Sequence, residues 1–221
     1  MDTALPQVFC APELRTVVVC DHLVMLDLRA GEYLVLDEVG TAMWQWLLAP
    51  DAHDITAMSA AFEVPAAVFA TDAAQFGREQ IDAGRLLLQP RAERSESVAA
   101  PLKQPSVARA WRERALADRY LHRGFAGAYR RTTTLVPDDT MRPERAPLRG
   151  VIRAFVTALN LYPAHAAPLD CLPRSLALTR LLRVCGWPAQ HVIGVAMYPF
   201  EAHAWVEVKG VPILEGSTYV R

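Results

Sequence analysis

The sequence has no uninterrupted apolar run of the roughly 18 residues that a membrane-spanning helix requires. Its first residues, MDTALPQVFCAPEL, lack a basic segment followed by an apolar one, so they do not resemble a secretion signal. Cysteine is scarce, with four residues in 221. Without a secretion signal, these four are expected to be reduced thiols in a cytosol. We therefore expect a cytoplasmic protein with no membrane span.

Motifs for nucleic-acid, nucleotide and metal binding are also missing. The arginines of the second half are scattered, with no zinc-finger or other nucleic-acid motif and no phosphate-binding loop around them. We expect no nucleic-acid partner, no metal and no cofactor. Residues 1–90 carry 13 acidic and 4 basic residues, whereas residues 91–221 carry 11 and 19. This asymmetry indicates either two units with different partners or two solvated surfaces of unlike composition.

The first half follows the order of strands and then helices. Residues 14–36 predict three short strands joined by turns at CDH and RAG. Asp37 and Asp54 fit helix caps, and Pro65 fits the first turn of a third helix over about 65–83. One face of that helix carries Phe69, Ala73 and Phe76. The pattern predicts a small winged-helix-like domain of three strands and three helices.

The stretches LVMLDLRAGEYLVLDEVGTAMWQWL and ITAMSAAFEVPAAVFATDAAQFGREQIDAGRLL resemble a RiPP recognition element, the PqqD-like domain of peptide-modifying pathways. The resemblance implies that a precursor's leader adds a strand to the edge of the sheet, at residues 32–36, and packs against the third helix. It gives as peptide-binding residues Tyr33, Leu34, Val35, Phe69, Ala73 and Phe76. The alternative for Phe69 and Phe76 is an ordinary place in the core.

A linker and a second domain follow. Residues 91–106 belong to a stretch rich in Ser, Ala, Pro and charge, which predicts a linker between domains at 1–90 and 107–221. Helices are expected over 107–123, with Trp111, Ala115 and Leu116 as its apolar positions, and over 148–161.

Cys171 begins another helical pattern, PLDCLPRSLALTRLLRVCGWP. Asp170 fits the helix cap, and a thiol in the first turn lies at the positive end of the helix dipole, which favours the thiolate. Cys185 is 14 residues away, about 21 Å along a continuous helix, which excludes a disulfide or a shared zinc ion. We interpret Cys185 as core, and Cys10 and Cys20 as structural.

His203 lies in the predicted strand AHAWVEV, on one face with Trp205 and Glu207. Glu215, on the returning strand, would fall on the wrong face with a two-residue turn at Lys209–Gly210. We therefore predict a three-residue loop or a bulge that brings Glu215 beside His203. Cysteine, histidine and acid in this order are typical of transglutaminase-like and papain-related nucleophiles. A buried cysteine and an unrelated surface histidine are the alternative.

The stretches CLPRSLALTRLLRVCGWPAQHVIGV and PFEAHAWVEVKGVPI closely resemble the lasso-peptide leader peptidase, or B protein. The resemblance implies an α+β chain whose second domain is a transglutaminase-like cysteine protease with Cys171, His203 and Glu215 as its catalytic triad, glutamate replacing the family's usual aspartate. It implies as partners a precursor leader and a macrolactam synthetase resembling asparagine synthetase, through which any ATP dependence would arise. The alternatives are a leader-binding chaperone without catalysis and an acyl transferase.

Overall fold

The computed structural model describes residues 7–91, 96–97, 104–136, 146–163 and 170–215. The chain divides into two compact units, residues 1–93 and 94–221. Most of the linker predicted at 91–106 lies outside the described residues.

The first unit contains the predicted strands and helices. Strands β2 (Leu14–Val19), β3 (His22–Asp27) and β4 (Glu32–Leu36) form an antiparallel sheet with β3 in the centre. Helices α1 (Glu38–Leu48), α2 (Ile55–Ala61) and α3 (Ala66–Asp82) follow. A short pair that the sequence did not predict, β1 (Phe9–Cys10) with β5 (Leu86–Leu87), joins the two ends of the unit.

Local sequence signals explain where these helices begin. The Asp37 side chain accepts a hydrogen bond from the backbone N–H of Gly40, and Asp54 accepts one from Thr56, so both predicted caps are confirmed. Each cap satisfies a backbone donor that the first helical turn leaves without a partner. Pro65 stands one residue before α3, and its fixed backbone angle suits that position.

The second unit surrounds one long buried helix. Helices α4 (Val107–Leu121), α5 (Phe125–Thr133) and α6 (Leu148–Asn160) pack with α7 (Cys171–Val184). The short strand β6 (Glu96–Ser97) pairs in parallel with β7 (Leu135–Val136). Strands β8 (Ala189–Ala196), β9 (Glu201–Val208) and β10 (Val211–Ile213) form an antiparallel sheet with β9 in the centre.

Helix α7 packs on one face of this sheet. The shared core includes Leu178, Leu181 and Leu182 of the helix together with Val206, Val208 and Ile213 of the strands. Because side chains alternate along a strand, His203 and Trp205 belong to the opposite set of positions from Val206 and Val208. This arrangement leaves His203 and Trp205 outside the main apolar cluster.

The buried face of α4 differs from the prediction. Trp111 is 44% exposed, while Glu113 and Arg114 are each 1% exposed. Glu113 accepts hydrogen bonds from the Arg109 Nε atom at 2.9 Å and the Arg131 Nη2 atom at 2.7 Å, and it forms an ion pair with the Arg180 Nε atom at 3.4 Å. A buried charge requires such partners, and here it ties α4, α5 and α7 together.

Candidate active site

Cys171 is the first residue of α7 and is half-buried. Pro173, two residues later, is tolerated because first-turn N–H groups have no intrahelical acceptor. Asp170 occupies the cap position, as predicted, but its side chain makes no capping hydrogen bond. Its backbone already lies in the helical region, and its carboxylate contacts Arg114 instead.

Arg114 fixes the entrance to α7. Its guanidinium contacts the carboxylates of Asp118 and Asp170 and lies 4.7 Å from the centre of the Tyr162 ring. The Tyr162 hydroxyl in turn donates to the Asp118 Oδ2 atom at 2.6 Å. Burial, followed by the Asp118 carboxylate, raises the pKa of Tyr162 to about 12. A side chain of α4 therefore holds the residue immediately before Cys171.

His203 lies on β9, opposite Gly194 of β8. Its ring stacks on that of Trp205, with centroids 6.1 Å apart and planes inclined by 17°. Trp205 also covers Gly194, where a Cβ atom would come within 2.7 Å and 2.8 Å of two ring carbons. The Trp205 Nε1 atom donates to the Glu207 Oε1 atom at 2.8 Å. Glycine at 194 thus provides the space that the tryptophan behind His203 needs.

The turn before Glu215 corrects the predicted hairpin. Val211 pairs with Val208, so Lys209 and Gly210 form a two-residue turn, and the expected three-residue loop is wrong. Both turn residues have positive φ, as tight hairpin turns favour. The ladder ends at Ile213, and Leu214 then adopts a φ of 63°. The irregularity that redirects Glu215 lies at Leu214, after the strand.

Glu215 connects β9 to α7. Its Oε2 atom lies 3.2 Å from the His203 Nε2 atom, and its Oε1 atom accepts a hydrogen bond from the Arg174 Nη2 atom at 2.7 Å. The Glu215 side chain is only 8% exposed, whereas His203 is 21% and Arg174 is 33% exposed. One buried carboxylate therefore contacts both the imidazole and the first turn of the helix that begins with Cys171.

This contact assigns the hydrogen on the His203 ring. An ionised carboxylate only accepts hydrogen bonds, so the Nε2 atom that faces Glu215 carries the hydrogen. In the neutral ring, the Nδ1 atom is then the one that can accept a proton. Such an imidazole, held by an acid, has the chemistry of a general base.

Sequence reasoning missed Arg174, Gly194 and the Arg114 cluster. Arg174 was open to detection, because it stands three residues after Cys171 and so lies on the same side of the helix. Gly194 gave no local signal, because its role depends on a tryptophan in another strand. Arg114 forms an i,i+4 pair with Asp118 of the same helix, but its contact with Asp170 depends on a distant segment.

The other cysteines lie outside this arrangement. Cys185 is fully buried, and burial raises the pKa of its thiol to about 11, as a core position requires. Cys10 is half-buried, and burial raises its pKa as well. Cys20 is exposed in the β2–β3 turn, contrary to the structural role predicted for it. Among the described residues, no three His, Cys, Asp or Glu side chains gather as metal ligands.

The predicted leader-binding residues separate into two groups. Tyr33 and Leu34 are half-buried on β4, and Val35 is 42% exposed there. Strand β4 is an edge, since within the part of the chain that the structure describes it pairs only with β3. On α3, Phe69 and Ala73 are 1% and 0% exposed and pack on Ala42, so both are core residues. Phe76 is half-buried against the cluster around Trp44 and Leu47.

Comparison with known proteins gives two family matches along the chain. Residues 110–221, half of the chain, match the family model of the transglutaminase-like superfamily. The chain belongs to the transglutaminase-like superfamily. Residues 22–85 match the model of coenzyme PQQ synthesis protein D (PqqD). These matches confirm the predicted α+β arrangement, a PqqD-like unit followed by a transglutaminase-like unit, and support the resemblance to the fused B proteins.

The solved structure of TbiB1 in complex with the TbiA(beta) leader peptide is also similar, with 22% sequence identity. The alignment covers 38% of this transglutaminase-like chain and 98% of the TbiB1 chain, with a TM-score of 0.29. No curated protein matches the chain. Of the helices that the structure describes, none is long and apolar enough to cross a membrane.

Proposed function

We propose that this protein is a cysteine endopeptidase that removes the leader from a ribosomally made precursor of a lasso peptide. The observation that carries the proposal is the contact of Glu215 with both His203 and Arg174, in the first turn of the helix that begins with Cys171. This contact links His203 and Glu215 to the first turn of α7, the turn in which Cys171 is the first residue. Membership of the transglutaminase-like superfamily agrees with a thiol nucleophile.

The reaction begins with proton transfer from the Cys171 thiol to the Nδ1 atom of His203. The thiolate attacks the carbonyl carbon of the bond between leader and core. As the tetrahedral intermediate collapses, the imidazolium gives its proton to the leaving amine, and a thioester joins the leader to Cys171. His203 then takes a proton from water, whose oxygen attacks the thioester. The leader leaves as a carboxylic acid, and the thiol is restored.

Glu215 serves this cycle by accepting from the Nε2 atom of His203 in both protonation states of the ring. It keeps the Nδ1 atom as the site of proton exchange and stabilises the imidazolium that forms after each transfer. Glutamate has one methylene more than aspartate, and its carboxylate is anchored by Arg174 at the far oxygen.

The PqqD-like unit would supply the substrate. Strand β4 offers a free sheet edge among the described residues, and Val35 provides exposed apolar surface on it. A leader that pairs with this edge gains main-chain hydrogen bonds, and the linked core is then held at a high effective concentration near the thiol. Val68 on α3 is 46% exposed and is a better candidate for leader contact than the buried Phe69.

Release of the core creates a free amine, the group that an amide-forming synthetase needs for ring closure. We expect that synthetase, resembling asparagine synthetase, as the partner enzyme in the cytoplasm. The sequence contains no phosphate-binding loop, so any ATP requirement would belong to the partner.

The test uses the full-length protein with the precursor peptide encoded beside its gene, with and without the synthetase. Mass spectrometry follows the released leader in water enriched in heavy oxygen. We expect the wild-type protein to release leader with one heavy oxygen in its new carboxylate. Cys171→Ala should bind fluorescent leader with unchanged affinity and release none.

The control is Cys185→Ala, which removes a buried thiol of the same unit, and should retain cleavage if it folds. Full cleavage by the Cys171→Ala protein would overturn the proposal. Leader binding without cleavage by the wild-type protein in every mixture would indicate a chaperone. A product that carries an added amine would indicate acyl transfer.

A further inference from the structure

We propose that Arg174 is a positioning residue that orients Glu215 toward His203, so that the first turn of α7 sets the hydrogen-bonding state of the imidazole. This inference deepens the proposed function and rests on it. It concerns a residue for which neither the sequence patterns nor the family matches gave a role.

The first observation is that the two Glu215 oxygens have different partners. The Oε1 atom accepts from Arg174 at 2.7 Å, the length of a strong charge-assisted hydrogen bond. The Oε2 atom lies 3.2 Å from the His203 Nε2 atom. The arginine contact is the shorter one, and it determines how the carboxylate plane is turned.

The second observation concerns the described backbone that leads to Glu215, which leaves the sheet before it reaches this residue. The ladder ends at Ile213, two residues earlier, and Leu214 has a φ of 63°. Positive φ costs energy for a residue with a branched side chain and persists where surrounding contacts hold it. The Arg174 bond spans 41 residues of sequence and provides such a contact.

The third observation is the location of Arg174 itself. It stands three residues after Cys171 on a continuous helix, about 4.5 Å further along the axis. Its backbone N–H donates to the Asp170 carbonyl at 3.1 Å, so the turn that carries the thiol is also the turn that carries the guanidinium. A displacement of this turn would move the Cys171 thiol together with the Arg174 guanidinium that holds Glu215.

Two consequences separate positioning from simple charge compensation. If Arg174 orients Glu215, its loss frees the carboxylate and His203 loses its Nε2 acceptor. If Arg174 only neutralises charge, its loss leaves the contact in place and makes Glu215 a stronger partner for the ring. If Arg174 positions Glu215, its loss therefore shifts the His203 ring toward the tautomer mixture of a free imidazole. If Arg174 only compensates charge, its loss strengthens the Nε2–H form.

The experiment measures the ring nitrogens of His203 directly and needs no proteolysis. Full-length protein labelled with nitrogen-15 at histidine, in the Cys171→Ala background, is studied by long-range proton–nitrogen correlation at a fixed neutral pH. His203→Gln assigns the signal. Glu215→Ala defines the spectrum of an imidazole without its acid. We expect Arg174→Ala to move the His203 nitrogens most of the way to the Glu215→Ala positions, and the double variant to match Glu215→Ala alone.

Arg174→Lys should recover part of the wild-type pattern, because lysine offers a cation but no planar pair of donors. Arg112→Ala is the matched control, an exposed arginine of the same unit on α4, and should leave the spectrum unchanged. In the cleavage assay with Cys171 restored, Arg174→Ala should lower kcat roughly 10- to 100-fold with little change in KM, as for other losses of alignment near a reacting group.

A wild-type spectrum for Arg174→Ala, or a shift in the opposite direction, would overturn this inference while leaving the peptidase proposal intact. If Glu215→Ala itself leaves the His203 nitrogens unchanged, the acid–imidazole contact is absent in solution, and both this inference and the triad fail. If Arg174→Ala does not fold, Arg174→Gln takes its place. His203 nitrogens displaced toward the Glu215→Ala positions would support the inference, and nitrogens at the wild-type positions would overturn it.

Discussion

Replacing Gly194 with alanine tests whether the tryptophan behind His203 matters for the site. The new Cβ atom would lie 2.7 Å and 2.8 Å from the Cζ3 and Cη2 atoms of Trp205. Carbon atoms in contact prefer about 3.5–4.0 Å, so the ring must retreat by about 1 Å. Overpacking of this kind costs about 1–3 kcal/mol of unfolding free energy.

The displacement should reach His203, the proposed catalytic histidine. Trp205 is only 9% exposed, and its ring stacks on His203, so it has little room to retreat without moving its neighbour. Because a misplacement of about 1 Å near a reacting group can cost roughly 100-fold in rate, we expect kcat for leader release to fall by that order. The measurements are urea unfolding followed by tryptophan fluorescence, and single-turnover cleavage of the precursor.

Two further variants isolate the clash. Gly150→Ala, in helix α6 with nothing within 4 Å of the added carbon, should keep full activity and gain about 0.5–1 kcal/mol from helix propensity. Trp205→Phe removes the two ring carbons that meet the Cβ atom, so Gly194→Ala should cost less in that background. If Gly194→Ala lowers the unfolding free energy equally with tryptophan and with phenylalanine at position 205, the proposed clash is refuted.

Two other predictions concern the stability of the second unit. Burial, reinforced by Arg183, lowers the pKa of His191 from 6.5 to about 3, so the ring stays neutral in the folded protein, with its Nε2 atom 2.9 Å from the Ser175 hydroxyl. The contribution of the neutral ring to the free energy of unfolding is complete above pH 6.5 and is lost as the pH falls toward 3. Between pH 6.5 and 5 the wild type should therefore lose roughly 2 kcal/mol of unfolding free energy relative to His191→Gln. Unfolding free energies that change with pH in parallel for the two proteins would contradict this prediction. Arg114→Met should lower the unfolding free energy by about 3 kcal/mol, because Asp118 and Asp170 lose the guanidinium between them. Urea unfolding measures this loss. Arg112→Met, at an exposed position of the same helix, is the control and should change the unfolding free energy by less than about 0.5 kcal/mol. Equal losses of unfolding free energy in the two variants would count against a structural role for the Arg114 cluster.

Predictions from local sequence succeeded where the signal is local. The β-branched and apolar segments over 14–36 and the caps at Asp37 and Asp54 located the strands and helices of the first unit within a residue or two. A cap needs only one side chain and the next two or three backbone groups, so a short stretch contains the whole interaction.

Predictions failed where an interaction joins distant segments. Apolar spacing gave Trp111 as one of the apolar positions of α4, yet Trp111 is exposed and Glu113 and Arg114 are buried. Their burial depends on partners in α5, in α7 and at Asp170, which no pattern within α4 contains. The capping hydrogen bond of the Asp170 side chain is absent for the same reason, because its carboxylate contacts Arg114 instead.

The amino-acid order by itself determined the two units, the helix that starts at Cys171 and the strand that carries His203, because these depend on propensity and periodicity over a few consecutive residues. Only the tertiary structure decided how Glu215 reaches the imidazole. A left-handed residue at Leu214 turns the chain out of the ladder, and Arg174, 41 residues earlier, holds the carboxylate by a charge-assisted hydrogen bond. Such a contact exists only after helix and sheet have packed, since the packing brings its two partners together.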